Sequence, residues 1–184
     1  MTTVRRVTTV TDAQIHELAL VLIDCVEGGA SVSFMLPLSL EKATTFWRNV
    51  ARDVAVNARA LLIAEDRAGI VGTVQLVFAQ PENQPHRADI TKLLVHHRAR
   101  RLGIGEALMR EAEHVAREGG KTLLVLDTAS GDAERLYVRI GWQLVGVIPD
   151  YALWPNGGLC ATSFYYRNLS KRSTSMQQPR HRPA

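Results

Sequence analysis

Three arginines and two glycines packed into residues 98 to 105 (Arg98-Ala99-Arg100-Arg101-Leu102-Gly103-Ile104-Gly105) make this stretch the part of the chain best suited to hold an anion. An apolar run, Ala88 to Val95, precedes it and a helical pattern follows, so the glycines stand where a helix opens. The first amides of a helix have no partners within it, and the helix dipole adds partial positive charge at that end. Glycine at 103 and 105 omits side chains that would hold a phosphate off the backbone, and Arg98, Arg100 and Arg101 can add charge-assisted contacts. A pyrophosphate suits this description.

Two familiar phosphate motifs fit poorly. A Walker-type loop ends in Gly-Lys-Ser/Thr, whereas Gly105 is followed by Glu106-Ala107. A dinucleotide fingerprint would pair Gly103-x-Gly105 with Asp127 at the end of the next strand, but its third glycine position is Leu108 and its glycines should follow the strand directly.

The elements that must position this loop can be read in order. Val4 to Val10 is a strand pattern, followed by a capping box at Thr11-Asp12-Ala13-Gln14 and a helix with Ile15, Leu18, Leu22 and Val26 inward. Gly28-Gly29 stops it. A second helix begins near Ser39 and buries Ala43, Phe46, Trp47, Val50 and Val54. Leu61 to Glu65 and Ile70 to Phe78 form a hairpin about Asp66-Arg67-Ala68-Gly69, and Gln80 to His86 is a loop. After the glycines, Ile104, Ala107, Leu108, Ala112 and Val115 mark the inner face of a helix, with Glu106, Arg110, Glu113 and Arg117 outside. Gly119-Gly120 ends it, and Thr122 to Leu126 runs apolar as a covered strand, closing a unit that favours parallel pairing. Ser130 is the expected N-cap of a helix with Ala133, Leu136, Tyr137 and Ile140 on one side. Trp142 to Ile148 and Ala161 to Tyr166 are the last strands, separated by the turn Pro155-Asn156-Gly157-Gly158.

Arg100-Arg101-Leu102-Gly103-Ile104-Gly105 is similar to the Q/R-x-x-G-x-G/A signature of the GNAT superfamily of acyl-CoA-dependent N-acyltransferases. Ala133-x-x-x-Tyr137-x-x-x-Gly141-Trp142 resembles its second recurring pattern, and the order β-α-α-β-β-β-α-β-α-β-β resembles its arrangement across residues 1 to 170. Within it, Gly28 to Met35, Arg87-Ala88-Asp89, Lys92-Leu93, Leu126-Asp127-Thr128, Pro149-x-Tyr151 and Pro155-Asn156-Gly157 resemble the tabtoxin-resistance acetyltransferases.

The resemblance implies a mixed α/β GNAT fold, a twisted mixed sheet of about seven strands flanked by about four helices. It implies acetyl-CoA as co-substrate, held along Leu94 and Val95 and by Arg100, Arg101, Leu102, Gly103, Ile104 and Gly105, with a backbone amide near Val95 facing the thioester. The acceptor would be a small-molecule amine, of which a tabtoxinine-β-lactam-like amino acid is one example, attacking directly. Asp89 and Asp127 would be bases, Asp89 through water because glutamate is expected there, and Tyr137 the general acid near the coenzyme sulfur. Each has a plainer reading: Asp127 as a turn cap, Asp89 as a strand-entry residue, Tyr137 as core. Ser130 either caps its helix or reaches the pantetheine. Gly29, Ser31 and Phe34 in the loop 28 to 35, with Tyr151, and with Trp154 beside it, are candidate acceptor contacts. A protein or peptide acetyltransferase and a non-catalytic acyl-CoA-binding module remain as alternatives, and a homodimer accords with the superfamily.

Composition removes other classes. Hydrophobic residues are 46% and charged residues 22%, the proportions of a globular domain, and no apolar run reaches membrane-span length. The N-terminal residues lack a signal-peptide pattern, and the two cysteines, Cys25 and Cys160, are isolated, so a reducing cytoplasm without a structural metal is expected. His96 and His97 lack further ligand spacing and are expected to be structural. The pI of about 9.4 does not argue for nucleic acid, because Lys171, Arg172, Arg180 and Arg182 lie in a terminal stretch without acids. Setting those four aside leaves 18 basic against 18 acidic residues, so residues 1–170 are expected to form a neutral domain and 171–184 a disordered basic tail.

Overall fold

A computed structural model describes residues 2–78 and 81–170. The basic tail expected over 171–184 lies outside the described residues. In chain order the elements are β1 (Thr3–Val7), α1 (Asp12–Glu27), α2 (Leu40–Ala55), β2 (Arg59–Asp66), β3 (Gly69–Val77), β4 (Arg87–Val95), a turn of 3-10 helix (His97–Ala99), α3 (Ile104–Glu118), β5 (Leu123–Thr128), α4 (Gly131–Arg139), β6 (Gln143–Leu153) and β7 (Leu159–Asn168). This is the expected mixed architecture and order, with the 3-10 turn added. Among the described residues the sheet has seven strands, in the order β1-β2-β3-β4-β5-β7-β6.

Local signals explain most boundaries. Thr11 accepts from the Gln14 amide while the Gln14 side chain accepts from the Thr11 amide, completing the capping box that starts α1. Ser39 caps α2 by accepting from the Lys42 amide, without the reciprocal bond. The sheet is covered on both faces. Ala88, Ile90, Leu124 and Leu126 pack with α3 and α4, and Leu61, Ile63 and Leu94 pack with α1 and α2.

The pattern expected for α3 needs correction at two positions. Ala107 is exposed, while Glu113, expected outside, is buried. Glu113 accepts from the Trp142 indole N–H at 3.1 Å and pairs with Arg117 and Arg167 at 3.3 and 3.6 Å, so its charge is compensated where an unpaired one would be expelled.

One departure from regular pairing creates the site. β4 and β5 run parallel, but only Arg87–Asp89 pairs with Leu123–Val125, and beyond that level the strands part. On its other edge β4 carries one extra residue against β3, since Thr73 faces Leu94 while Gln75 faces Thr91. Lys92, inside this bulge, has φ 53°, in the left-handed region. A bulge bends its strand and re-aims the side chains there.

Candidate active site

The opening between β4 and β5 continues into a cleft of about 1070 Å³. Its walls bring together the loop after α1, the outer half of β4, the start of α3, the end of β5 and the face of α4.

At one mouth stands the N-terminus of α3. Gly103 occupies the N-cap with φ 79° and supplies no side-chain cap, so the first-turn amides keep no local acceptor from that residue. The conformation is one that glycine adopts without strain. At Gly105 a Cβ would lie 3.2 Å from the Leu136 side chain, so glycine lets α3 and α4 approach around the cleft. Arg100, Arg101, Gly103, Ile104 and Gly105 all line the cleft, whereas Leu102 is 70% exposed and does not. The arginines are not equivalent. Arg98 is engaged by Asp66 of the β2–β3 turn at 2.6 Å, which draws it away from an anion, and Arg100 donates through Nε to the Val95 carbonyl at 3.1 Å. Arg101 remains at the rim.

Leu94 and Val95 line the cleft from β4, where the strand has lost its β5 neighbour. Across from them Asp127, Thr128 and Ser130 line it from β5 and the turn into α4. Ser130 occupies the N-cap position, yet its hydroxyl makes no capping bond; its amide donates to Thr128 Oγ1 at 3.1 Å. The expected side-chain cap is therefore absent, and the hydroxyl is left for the cleft.

Tyr137 reaches the cleft from the buried side of α4, with its ring 6.0 Å from Trp142 and 5.7 Å from Tyr165. Burial first, then the negative charge of Asp127, then the neighbouring Tyr165, raise its phenol far above the ordinary range. It stays neutral as a donor at physiological pH.

Asp89 does not join this group. It shares the α1/α2 face of the sheet with Asp127, but it pairs in register with Val125, two residues before Asp127 and below the level at which the strands part. It does not line the cleft, and it makes an ion pair with Arg87 at 3.5 Å.

The acceptor candidates also divide. Gly29 and Ser31 line the cleft, and the Ser31 hydroxyl donates to the Leu153 carbonyl at 2.9 Å, tying this loop to the β6–β7 hairpin. Phe34 is turned away onto Phe46, edge to face at 5.2 Å. Tyr151 lies within β6, outside the cleft, against Phe164 at 5.4 Å; Trp154, at the hairpin tip, lines the cleft instead. β6 bulges between Ile148, which faces Thr162, and Ala152, which faces Cys160, with Asp150 at φ 52°; this irregularity re-aims the side chains beside it, and neither it nor the extension of the strand to Leu153 is legible in the sequence.

Lys92 and Cys25 are among the lining residues that were not singled out from the sequence as site residues. Lys92 enters through the bulge, and its signal lies in pairing rather than in composition. Cys25 lines the wall with its thiol directed at the Val95 carbonyl at 3.6 Å; burial above all raises its pKa, which disfavours the thiolate a covalent carrier would need. Asp24, His96 and His97 gather ligand-type atoms within 4.8 Å of one another. Asp24 binds both the His97 amide, at 2.8 Å, and the His97 ring, a clamp between α1 and the exit of β4.

Residues 33–142 match the Acetyltransferase (GNAT) family. The chain belongs to this family. It is 30% identical over 161 residues, 85% of this chain and 94% of the other, to an uncharacterized N-acetyltransferase from the hisH-hisA intergenic region of Azospirillum brasilense. Among solved family folds, a phosphinothricin acetyltransferase from Sinorhizobium meliloti in complex with acetyl-CoA is similar at TM-score 0.75 and 17% identity, covering 97% of this chain and 94% of that one. A ribosomal-protein-alanine N-acetyltransferase from Brucella melitensis is similar at TM-score 0.73 and 23% identity, over 90% and 99%. At these identities the likeness is one of fold, and it spans relatives named for small-molecule and for protein acceptors alike.

Proposed function

We propose that this protein transfers the acetyl group of acetyl-CoA to the amine of a small molecule by direct attack, without a covalent enzyme intermediate. The observation that carries this reading is the parting of β4 and β5 between the uncapped N-terminus of α3 and the pair Asp127 and Tyr137. In this reading the α3 amides and Arg101 hold the pyrophosphate, the edge of β4 at Leu94 and Val95 holds the pantetheine arm, and the Ser130 hydroxyl faces that arm.

The chemistry follows from who can hold a proton. An amine attacks only when neutral, and Asp127, on the cleft wall, takes its proton directly or through one water. Asp89, set back below the fork, could act only through intervening water. The departing thiolate is stabilised by the Tyr137 hydroxyl. A thiol ordinarily titrates near about 8.5, well below this phenol, so outright transfer is uphill while Asp127 is anionic. Protonation of Asp127 removes only the lesser cause of that rise, because burial persists, so Tyr137 serves the thiolate as a hydrogen-bond donor.

For the acceptor, the loop resemblance at 28–35 and 149–157 supports a tabtoxinine-β-lactam-like amino acid and a role in toxin resistance. The exposed apolar residues of β6, Val145 and Val147 among them, make a homodimer through that edge part of the same reading, which sedimentation would check. The deciding experiment is thiol release from acetyl-CoA against tabtoxinine-β-lactam, small amines, amino acids and peptides. Release with small amines supports the proposal, and release confined to peptides would replace it with protein acetylation. Acetyl-CoA binding without release from any acceptor would favour a binding module.

A further inference from the structure

Lys92 is a charged feature of the cleft that the reaction as described does not use. Its backbone stands in the left-handed region at φ 53°, and Ser33, across the cleft in the loop after α1, stands there too at φ 73°. Neither is a glycine. Conformations of this kind are strained for a residue with a Cβ and persist where the surroundings over-determine them, which is most often at functional sites. The two residues meet: Lys92 Nζ donates to Ser33 Oγ at 3.2 Å.

The ammonium is poorly compensated. It lies 5.9 Å from the Phe46 ring centroid, and no carboxylate pairs with it among the described residues. A hydroxyl and an aromatic face solvate a cation without neutralising it. Arg59 adds to the positive field from β2, but its own guanidinium is engaged by Asp53 at 3.0 Å and by the Gln75 side chain. Burial first lowers the Lys92 pKa; Asp127 opposes that across the cleft and Arg59 reinforces it. A half-buried ammonium with no anion of its own gains most from a ligand that brings one.

We propose that Lys92 is the anion contact of the acceptor site, so that the preferred acceptor carries a carboxylate beside the amine that Asp127 deprotonates. The inference rests on the small-molecule reading above and narrows it. Cation and anion stand on opposite walls of one cleft, the complement of an amino acid, and a peptide amide would leave Lys92 without its partner. Lys92 is thus a specificity-determining residue, distinct in role from Asp127 and Tyr137.

The test compares α-amino acids with their carboxamides, using wild type, Lys92→Met and the charge-retaining Lys92→Arg. Wild type is expected to prefer the carboxylates by about 10- to 100-fold in kcat/KM, carried mainly by KM. Lys92→Met should collapse that ratio toward one, and Lys92→Arg should restore part of it. A preference that survives in Lys92→Met, or carboxamides used as well as carboxylates by wild type, would overturn the assignment. Should no free amine turn over, calorimetry of N-acetyl amino acids with the CoA-bound protein still reads Lys92. Binding weakened more than about tenfold by Lys92→Met supports the anion contact, and absent or unaltered binding refutes it. Failure of the acetyltransferase reading would show separately, as acetyl-CoA that binds and is never consumed.

Discussion

Glu113 on α3 accepts the indole hydrogen of Trp142 at the entry to β6, at 3.1 Å and across 29 residues of sequence. Both side chains are buried, and the bond fixes α3 against the start of β6 just beyond Tyr137. Glu113→Ala leaves the indole donor unpaired and the buried Arg167 Nε without its carboxylate, while Arg117 reaches solvent and recovers part of what it loses. The expected loss is about 2 kcal/mol, read as a lower urea midpoint at unchanged slope. A midpoint within experimental error of wild type would remove the bond from any role in stability.

Asp127 and Asp89 share a face of the sheet but not the cleft, and their variants should part company. Asp127→Asn is expected to reduce kcat by about 10²-fold or more, and Asp89→Asn by less than about tenfold. Steady-state rates with the best acceptor decide it, and equal losses would require a path from Asp89 to the amine that the fork does not supply.

Tyr137→Phe keeps the packing against Trp142 and Tyr165 while removing the hydroxyl. Turnover should fall roughly 10- to 100-fold with little change in acetyl-CoA affinity, because the lost contact is made to the leaving group. Unchanged turnover would take Tyr137 out of the mechanism.

Gly103 is asked for a left-handed backbone at the start of α3. Gly103→Ala should cost about 1 kcal/mol of stability, and should raise KM for acetyl-CoA more than it lowers kcat. Isothermal binding of CoA checks this without turnover.

Acid should loosen the clamp between α1 and the exit of β4. Burial holds the His96 ring below its ordinary 6.5, so beneath that pH the unfolded chain takes up a proton the folded one refuses, and stability falls as pH drops toward the folded value. Asp24 adds a second limb: burial pushes its carboxyl up, but hydrogen bonds from His97 and the histidine charges outweigh this and hold it below 3.8. Its contribution is complete above that value and is lost as pH falls through the lower folded one. Thermal midpoints across pH 3 to 8 should therefore decline below about 6.5, and His96→Asn should flatten that upper limb.

How much was legible follows from the range of each signal. The capping box at Thr11, the cap at Ser39 and the glycine start of α3 are written within a few residues of themselves, and the structure has them as expected. Lys92 depends on which residues of β3 face β4, a register no single segment states. Asp89 and Asp127 both sit near strand ends, but only inter-strand pairing shows that one lies below the fork. Glu113 fits a polar helix face by period, and its burial is set by an indole and two arginines far along the chain. Arg98 looks like a phosphate ligand until the β2–β3 turn brings Asp66 to it.

The parting of β4 and β5 also bears on how the protein survives in a cell. Where the strands separate, hydrogen-bonding groups along their facing edges have solvent or ligand as partners, and a bound donor would sit as a splint across the gap. Occupancy then becomes a reservoir of resistance to heat and proteases, about 2.7 kcal/mol when the donor stands at a hundred times its dissociation constant. Persistence of the protein would track the supply of activated acetyl groups, and a starved cell would hold a more fragile copy of the same chain.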